Sequence, residues 1–170
     1  RLAPAAPRAL IGADSTGAGA MRTATGADGA RGRAEALFGR LPASGCWLDL
    51  PSPHVAEIAA RAGADYGLVD LEHGPIGIET AALMLSALSA RGVAALARPP
   101  EASESWTKRL LDAGAEGLVL PMIETPEQAE AAVAHTRYPP LGRRGLGAGV
   151  ARASGWGRDA AAYAASWNAS

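Results

Sequence analysis

AGADYGLVDLEHGP, residues 62–75, holds in order a helix stop, a short apolar run and a turn crowded with titratable groups. Its second half, LVDLEHGP, runs from Leu68 and Val69 to Asp70, Glu72 and His73 within a few positions. Such a run reads as a buried strand that delivers polar groups at its C-terminal end. In parallel α/β folds the loops after that end build the binding sites. Asp70 and Glu72 are two apart and share a strand face, and His73 opens the next loop. Two readings stand side by side: a catalytic cluster of acid, acid and imidazole, or a capping Asp followed by a solvated Glu-His pair.

Working outward, the same unit recurs from Gly45 onward: short strand, loop, amphipathic helix, glycine. Ala62-Gly63-Ala64-Asp65 precedes Gly67-Leu68-Val69, and Ala113-Gly114-Ala115-Glu116 precedes Gly117-Leu118-Val119, an internal echo of one supersecondary unit. Strands are expected at 46–50, 66–71, 94–97 and 117–120. Helices follow at about 53–62, 79–90, 105–113 and 125–136, and a last one at about 159–166. Ser52-Pro53 supplies an N-cap and a proline at N1, and Thr125-Pro126-Glu127-Gln128 reads as a capping box. Inward faces are assigned to Val55, Ile58, Ala59 and Ala62; to Ala81, Met84, Leu85 and Leu88; to Trp106, Leu110 and Ala113; and to Ala129, Ala132, Val133 and Thr136. Alternating βα units mean an α/β fold with a parallel sheet.

The 170 residues are 48% hydrophobic and 19% charged. That balance fits one soluble globular domain with an irregular segment attached. Residues 1–32 carry no apolar periodicity and read as a tail or upstream sequence that does not fold; a short helix is expected at 33–41. The formal net charge of -1, with no basic stripe interleaved with aromatics, argues against nucleic acid as partner. One cysteine, Cys46, excludes an intrachain disulfide and a thiolate zinc cluster, and suits a reducing cytoplasm. No apolar run approaches the roughly 18 residues of a membrane span, so no membrane partner is expected.

Four βα units could be half of an eight-stranded barrel or the core of a doubly wound nucleotide fold. The latter needs a glycine-rich phosphate loop after its first strand, and Pro51-Ser52-Pro53-His54 is nothing of the kind. The glycine-rich run at 145–150 lacks the last glycine of the dinucleotide fingerprint and does not join a strand to its helix.

Taken together, GCWLDLPSP, AGADYGLVDLEHGP, ARPP, LLDAGAEGLVLPMIETPEQAE and RYPPLGRRGLG resemble the HpcH/HpaI aldolase family, metal-dependent pyruvate aldolases on a (β/α)8 TIM barrel. The resemblance covers Gly45 to the C-terminus. It implies residues 33–170 as the N-terminal half of such a barrel, since a complete one takes typically about 250 residues. It also implies the activity: reversible cleavage of a 4-hydroxy-2-oxo acid to pyruvate, or a related 2-oxo acid, and an aldehyde.

Roles follow from the same resemblance. His73 matches the base that removes the C4 hydroxyl proton, and imidazole titrates near working pH. Arg98 matches the arginine that binds the oxo acid and stabilises the enolate. Asp112 matches the carboxylate that raises the basicity of the histidine, and Asp70 helps orient the imidazole. A divalent metal, Mg²⁺, Mn²⁺ or Co²⁺, is implied for the complete protein. The family's metal carboxylates lie in a Gln-x-Glu motif on the fifth strand and in a Gly-Pro-x-Asp-Leu motif beyond it, and neither a fifth strand with the first motif nor a copy of the second is read before Ser170, so no metal ligand is expected in this chain. Glu72 and Glu124 lie at strand ends without matching the ligands, and His54 and His135 read as surface helix residues. A homo-oligomer is expected, because the open strand edges of a half barrel favour self-association.

Lysine content bears on mechanism separately. A Schiff-base aldolase needs a lysine at a strand end, and the chain's one lysine, Lys108, lies in a helix at the spacing of an ion pair with Glu104. Two rivals remain open on sequence: a lyase acting on a CoA thioester of a hydroxy acid, and a non-catalytic barrel fragment used for assembly.

Overall fold

The computed structural model describes Arg33, Ala34, Leu37 and residues 42–147, 149–158 and 160–169. The segment 1–32 lies outside the described residues, as does most of the short helix expected at 33–41, of which Arg33, Ala34 and Leu37 are helical. Four strands, β1 (Gly45–Leu48), β2 (Tyr66–Asp70), β3 (Ala94–Arg98) and β4 (Gly117–Leu118), form one parallel sheet in chain order. Between and after them come α1 (Pro53–Arg61), α2 (Ile78–Ala90), α3 (Glu104–Ala113) and α4 (Pro126–Thr136). A 3-10 turn, Arg152–Ser154, and α5 (Ala160–Ala169) complete the described chain.

Strand order is what separates the two folds. A doubly wound sheet reverses direction at a switch point, whereas here each crossover steps one strand further the same way, as in a barrel. Each of α1 to α4 packs on its neighbour, α1 on α2, α2 on α3 and α3 on α4, which places them in one layer. The architecture is that of the first four βα units of a (β/α)8 barrel.

The pleat then assigns the faces. Gly67 lies under Leu88 of α2, so near that a Cβ at Gly67 would overlap it, and Leu48, Val69, Ala95 and Ala97 on the same face join the apolar core beneath the helices. The opposite face carries Trp47, Leu68 and Leu96, then Asp70 and Arg98 on the last rung. Alternation therefore sends aliphatics to the helices and the polar strand-end residues to the other side.

Helix faces agree with the sequence reading where the packing is deepest. Ala81, Met84, Leu85 and Leu88 of α2 are all buried. The helix α1 turns Ala56 and Ala59 to the sheet, and Ile58 is 65% exposed. Small residues bring the backbone close and rotate the larger one outward. In α4 only Ala132 is buried and Val133 is exposed. The capping box forms as expected. Thr125 Oγ1 accepts from the Gln128 N–H at 3.3 Å, and Gln128 Oε1 accepts from the Thr125 N–H at 3.1 Å. Ser52 makes no side-chain cap bond, and Pro53 alone sets the start of α1. Gly114 ends α3 in the left-handed region at φ 104°, where a side chain is strained.

Candidate active site

Asp70 and Arg98 are register partners at the last rung of β2 and β3, so the pairing of the two strands itself brings their side chains together. Arg98 donates through Nε to Asp70 Oδ1 at 3.0 Å and through Nη2 to Oδ2 at 2.6 Å, a two-point grip. The Trp47 indole N–H from β1 donates to Oδ2 at 3.0 Å. The backbone N–H groups of Glu72 and His73 donate to Oδ1 at 2.9 and 3.3 Å. Five donors thus converge on one carboxylate that is 1% exposed.

The electrostatics follow from that count. The Arg98 guanidinium, with smaller help from Trp47 and the two backbone N–H groups, holds the Asp70 carboxyl well below the usual carboxylate range despite its burial. Arg98 is raised in turn, chiefly by its bond to Asp70. Asp70 is therefore a permanently charged anchor and not a proton carrier near neutrality. The Arg98 guanidinium also lies 4.7 Å from the Trp47 ring centroid, a cation-π contact that fixes its plane.

Glu72 completes the cluster. Its Oε2 lies 3.0 Å from Arg98 Nε, but the single N–H there points at Asp70, and Oε2 is buried with no hydrogen bond. His73 stands outermost, its side chain 72% exposed, with Nε2 3.8 Å from Glu72 Oε1. Asp70 reaches His73 through the backbone N–H, so it orients the turn that carries the imidazole. Gly74 is required by close approach: a Cβ there would sit 2.5 Å from the Asp70 carbonyl oxygen and 3.0 Å from that of Asp49.

Asp112 does not join this group. It lies in the last turn of α3, one connection before β4 begins, and hence near the N-terminal ends of the strands, whereas His73 lies past their C-terminal ends. Its Oδ1 accepts from Arg144 Nη2 at 2.7 Å. His54 is exposed on α1, and His135 on α4 is half-buried with its Nδ1 shut away without a partner. Lys108 is half-buried on α3 beside Gly145. The residue that sequence reasoning missed is Trp47. Its signal was alternation along β1, which sets Trp47 on the face of Leu68 and hence of Asp70.

The described residues do not fit a metal centre. Among them no group of three or more His, Cys, Asp or Glu could hold an ion, and Asp70 has both oxygens occupied by donors. What the arrangement offers is anion recognition: Arg98 commits Nε and Nη2 to Asp70, while Nη1 has no acceptor among the described residues. A carboxylate there would meet a guanidinium fixed by Asp70.

The chain is similar to known proteins. The chain is 47% identical over 121 residues to the hydroxypyruvate/pyruvate aldolase of Deinococcus radiodurans, covering 71% of this chain and 44% of that protein. It is 47% identical over 114 residues to the 2-keto-3-deoxy-L-rhamnonate aldolase of Klebsiella pneumoniae, covering 67% and 43%. Among solved structures, an HpcH/HpaI aldolase/citrate lyase family protein from Burkholderia cenocepacia superposes with a TM-score of 0.70 at 40% identity, over 75% of this chain and 51% of that one. The chain thus spans less than half the length of the two curated relatives. The HpcH/HpaI aldolase/citrate lyase family model matches residues 43–165, and the chain belongs to that family.

Proposed function

We propose that the protein carrying this chain is a class II pyruvate aldolase, which reversibly cleaves a 4-hydroxy-2-oxo acid to pyruvate, or a related 2-oxo acid, and an aldehyde. The observation that carries this reading is the Asp70-locked Arg98, whose Nη1 has no acceptor among the described residues, with His73 in the turn that Asp70 holds. His73 takes the C4 hydroxyl proton; the C3–C4 bonding electrons pass into the enolate of the 2-oxo acid as the aldehyde carbonyl forms. Arg98 faces the negative charge that develops on the enolate and on the substrate carboxylate. Protonation at C3 then gives pyruvate.

Asp112 fits this scheme in one way only. Being at the far end of α3 from its own His73, it would serve the His73 of a second copy, which makes the active unit a homo-oligomer. A divalent cation, Mg²⁺, Mn²⁺ or Co²⁺, belongs to the activity of the complete protein, with its ligands outside the described residues. Lys108, on a helix, gives no support to imine chemistry. Both curated relatives are named as aldolases, which favours this reading over a thioester lyase or a non-catalytic fragment.

The test is pyruvate release from a 4-hydroxy-2-oxo acid by the full-length protein with added divalent cation, alongside borohydride treatment in the presence of pyruvate. Turnover that survives borohydride is expected. No turnover, or inactivation through a reduced imine, would reject the proposal.

A further inference from the structure

Among the described residues Arg144 is the largest fully buried side chain, its side chain 0% exposed, and its setting is unlike that of a structural counter-ion. A buried cation needs compensation, and a carboxylate placed there only to supply it would grip the guanidinium by two points. Asp112 touches it by one: Nη2 donates to Oδ1 at 2.7 Å, while Nε and Nη1 have no acceptor. The remaining compensation comes from a long bond, 3.5 Å, that Nη2 donates to the Tyr163 hydroxyl oxygen, and from aromatic faces. The guanidinium carbon lies 4.6 Å from the Tyr138 ring centroid, 5.0 Å from that of Trp167 and 5.8 Å from that of Tyr163. Asp112 Oδ2 receives no hydrogen bond from a described residue, and the side chain is 23% exposed, so one oxygen is held and the other is presented.

The cage depends on the last helix. Tyr163 and Trp167 belong to α5, and Tyr138 to the turn after α4. α5 is fastened to that turn by a reciprocal pair: the Tyr138 N–H donates to Asn168 Oδ1 at 2.9 Å, and Asn168 Nδ2 donates to the Tyr138 carbonyl at 2.9 Å. The Trp167 indole N–H donates to the Thr136 carbonyl at 2.8 Å. Docking of α5 thereby fixes the rings, the rings fix Arg144, and Arg144 fixes one oxygen of Asp112.

We infer that Arg144 is a positioning residue for the aldol reaction, holding Asp112 through Oδ1 so that Oδ2 meets the His73 imidazole of a second copy. This rests on the reading of Asp112 given under Proposed function. Arg144 touches no substrate and acts through Asp112 alone.

The experiment compares the full-length Asp112→Asn, Arg144→Lys, Trp167→Phe and Arg144→Lys/Asp112→Asn enzymes by kcat/KM of retro-aldol cleavage across pH. Asp112→Asn is expected to lose about 10²-fold and to displace the acidic limb of the profile, as loss of a general base's partner does. Arg144→Lys displaces the same limb in the same direction, leaves the KM for the oxo acid within about twofold, and adds nothing in the Asp112→Asn background. Trp167→Phe, which keeps a ring and the fold, gives a smaller displacement of the same sign. A folding defect would lower amplitude without moving the limb. An unmoved limb in Arg144→Lys and Trp167→Phe beside a crippled Asp112→Asn ends the positioning role alone. Wild-type turnover in Asp112→Asn ends the reading of Asp112 and the role of Arg144 with it.

Discussion

Asp70 and Arg98 close a two-point ion pair, 3.0 and 2.6 Å, across the last rung of two parallel strands. Register makes the encounter automatic, and burial makes it rigid. The Asp70 carboxyl is held low. The stability it contributes is therefore present above the unfolded-state value of about 3.9 and is lost only as pH falls toward its folded value. Through the neutral range the guanidinium keeps one orientation.

Trp47 sustains that orientation twice over, by its N–H on Asp70 Oδ2 and by its ring under Arg98. Trp47→Phe keeps a ring and removes the donor to a buried charge. It is expected to cost about 1.5–3 kcal/mol of unfolding free energy, and to weaken oxo-acid binding. Urea denaturation and KM measure the two effects. An unchanged denaturation midpoint would show that the indole N–H contributes nothing.

His73 is exposed, with no deep packing to lose. His73→Ala should reduce kcat by about 10²- to 10⁴-fold, with stability within about 0.5 kcal/mol of wild type. Mixing inactive His73→Ala and Asp112→Asn subunits of the full-length protein should restore part of the turnover, because some sites then receive an intact His73 and an intact Asp112. Absence of recovery, with mixed oligomers verified by mass, would contradict service by a second copy.

Glu116 gives a pH signature at the other end of the sheet. It is 5% exposed, pairs with Arg33 Nη2 at 2.5 Å, and keeps Oε2 without a partner. Burial pushes its carboxyl from 4.5 up to about 7, with Arg33 opposing the rise. Between those values the folded state holds a proton that the unfolded state has released, so stability falls as pH rises through the window, by about 3 kcal/mol at most. Glu116→Gln removes this slope. Urea midpoints from about pH 5 to about pH 8 report it, and an equal slope in both proteins would reject the assignment.

Much of this was legible in the sequence, for reasons particular residues make plain. The glycine stops at 63 and 114 and the runs at 68–69 and 117–119 announce βα units, because a turn residue beside an apolar run leaves the chain few choices. Asp70, His73 and Arg98 were visible as strand-end polar residues. The place of Asp112 was not: its role came through resemblance, and only the direction of α3 reveals that it lies toward the opposite ends of the strands from its own histidine. Ile58 and Val133 misled because periodicity treats every large apolar residue as inward, whereas α1 and α4 turn alanines inward instead. Arg144 was hidden as one arginine in RYPPLGRRGLG, since no local pattern tells that two rings of the later helix α5 will join Tyr138 in enclosing it.

The most direct test of the central claim, that Arg98 locked by Asp70 receives a 2-oxo acid and stabilises its enolate, is exchange of the pyruvate methyl protons for deuterium. It is followed by proton NMR in D₂O with the full-length protein and added Mg²⁺, Mn²⁺ or Co²⁺. The wild type should exchange them, and Arg98→Lys should lose about 10²-fold or more, because an ammonium cannot grip Asp70 by two points and still offer a third nitrogen to the ligand. Folded wild-type protein that leaves the methyl protons in place, or Arg98→Lys that exchanges them at the wild-type rate, would contradict the account.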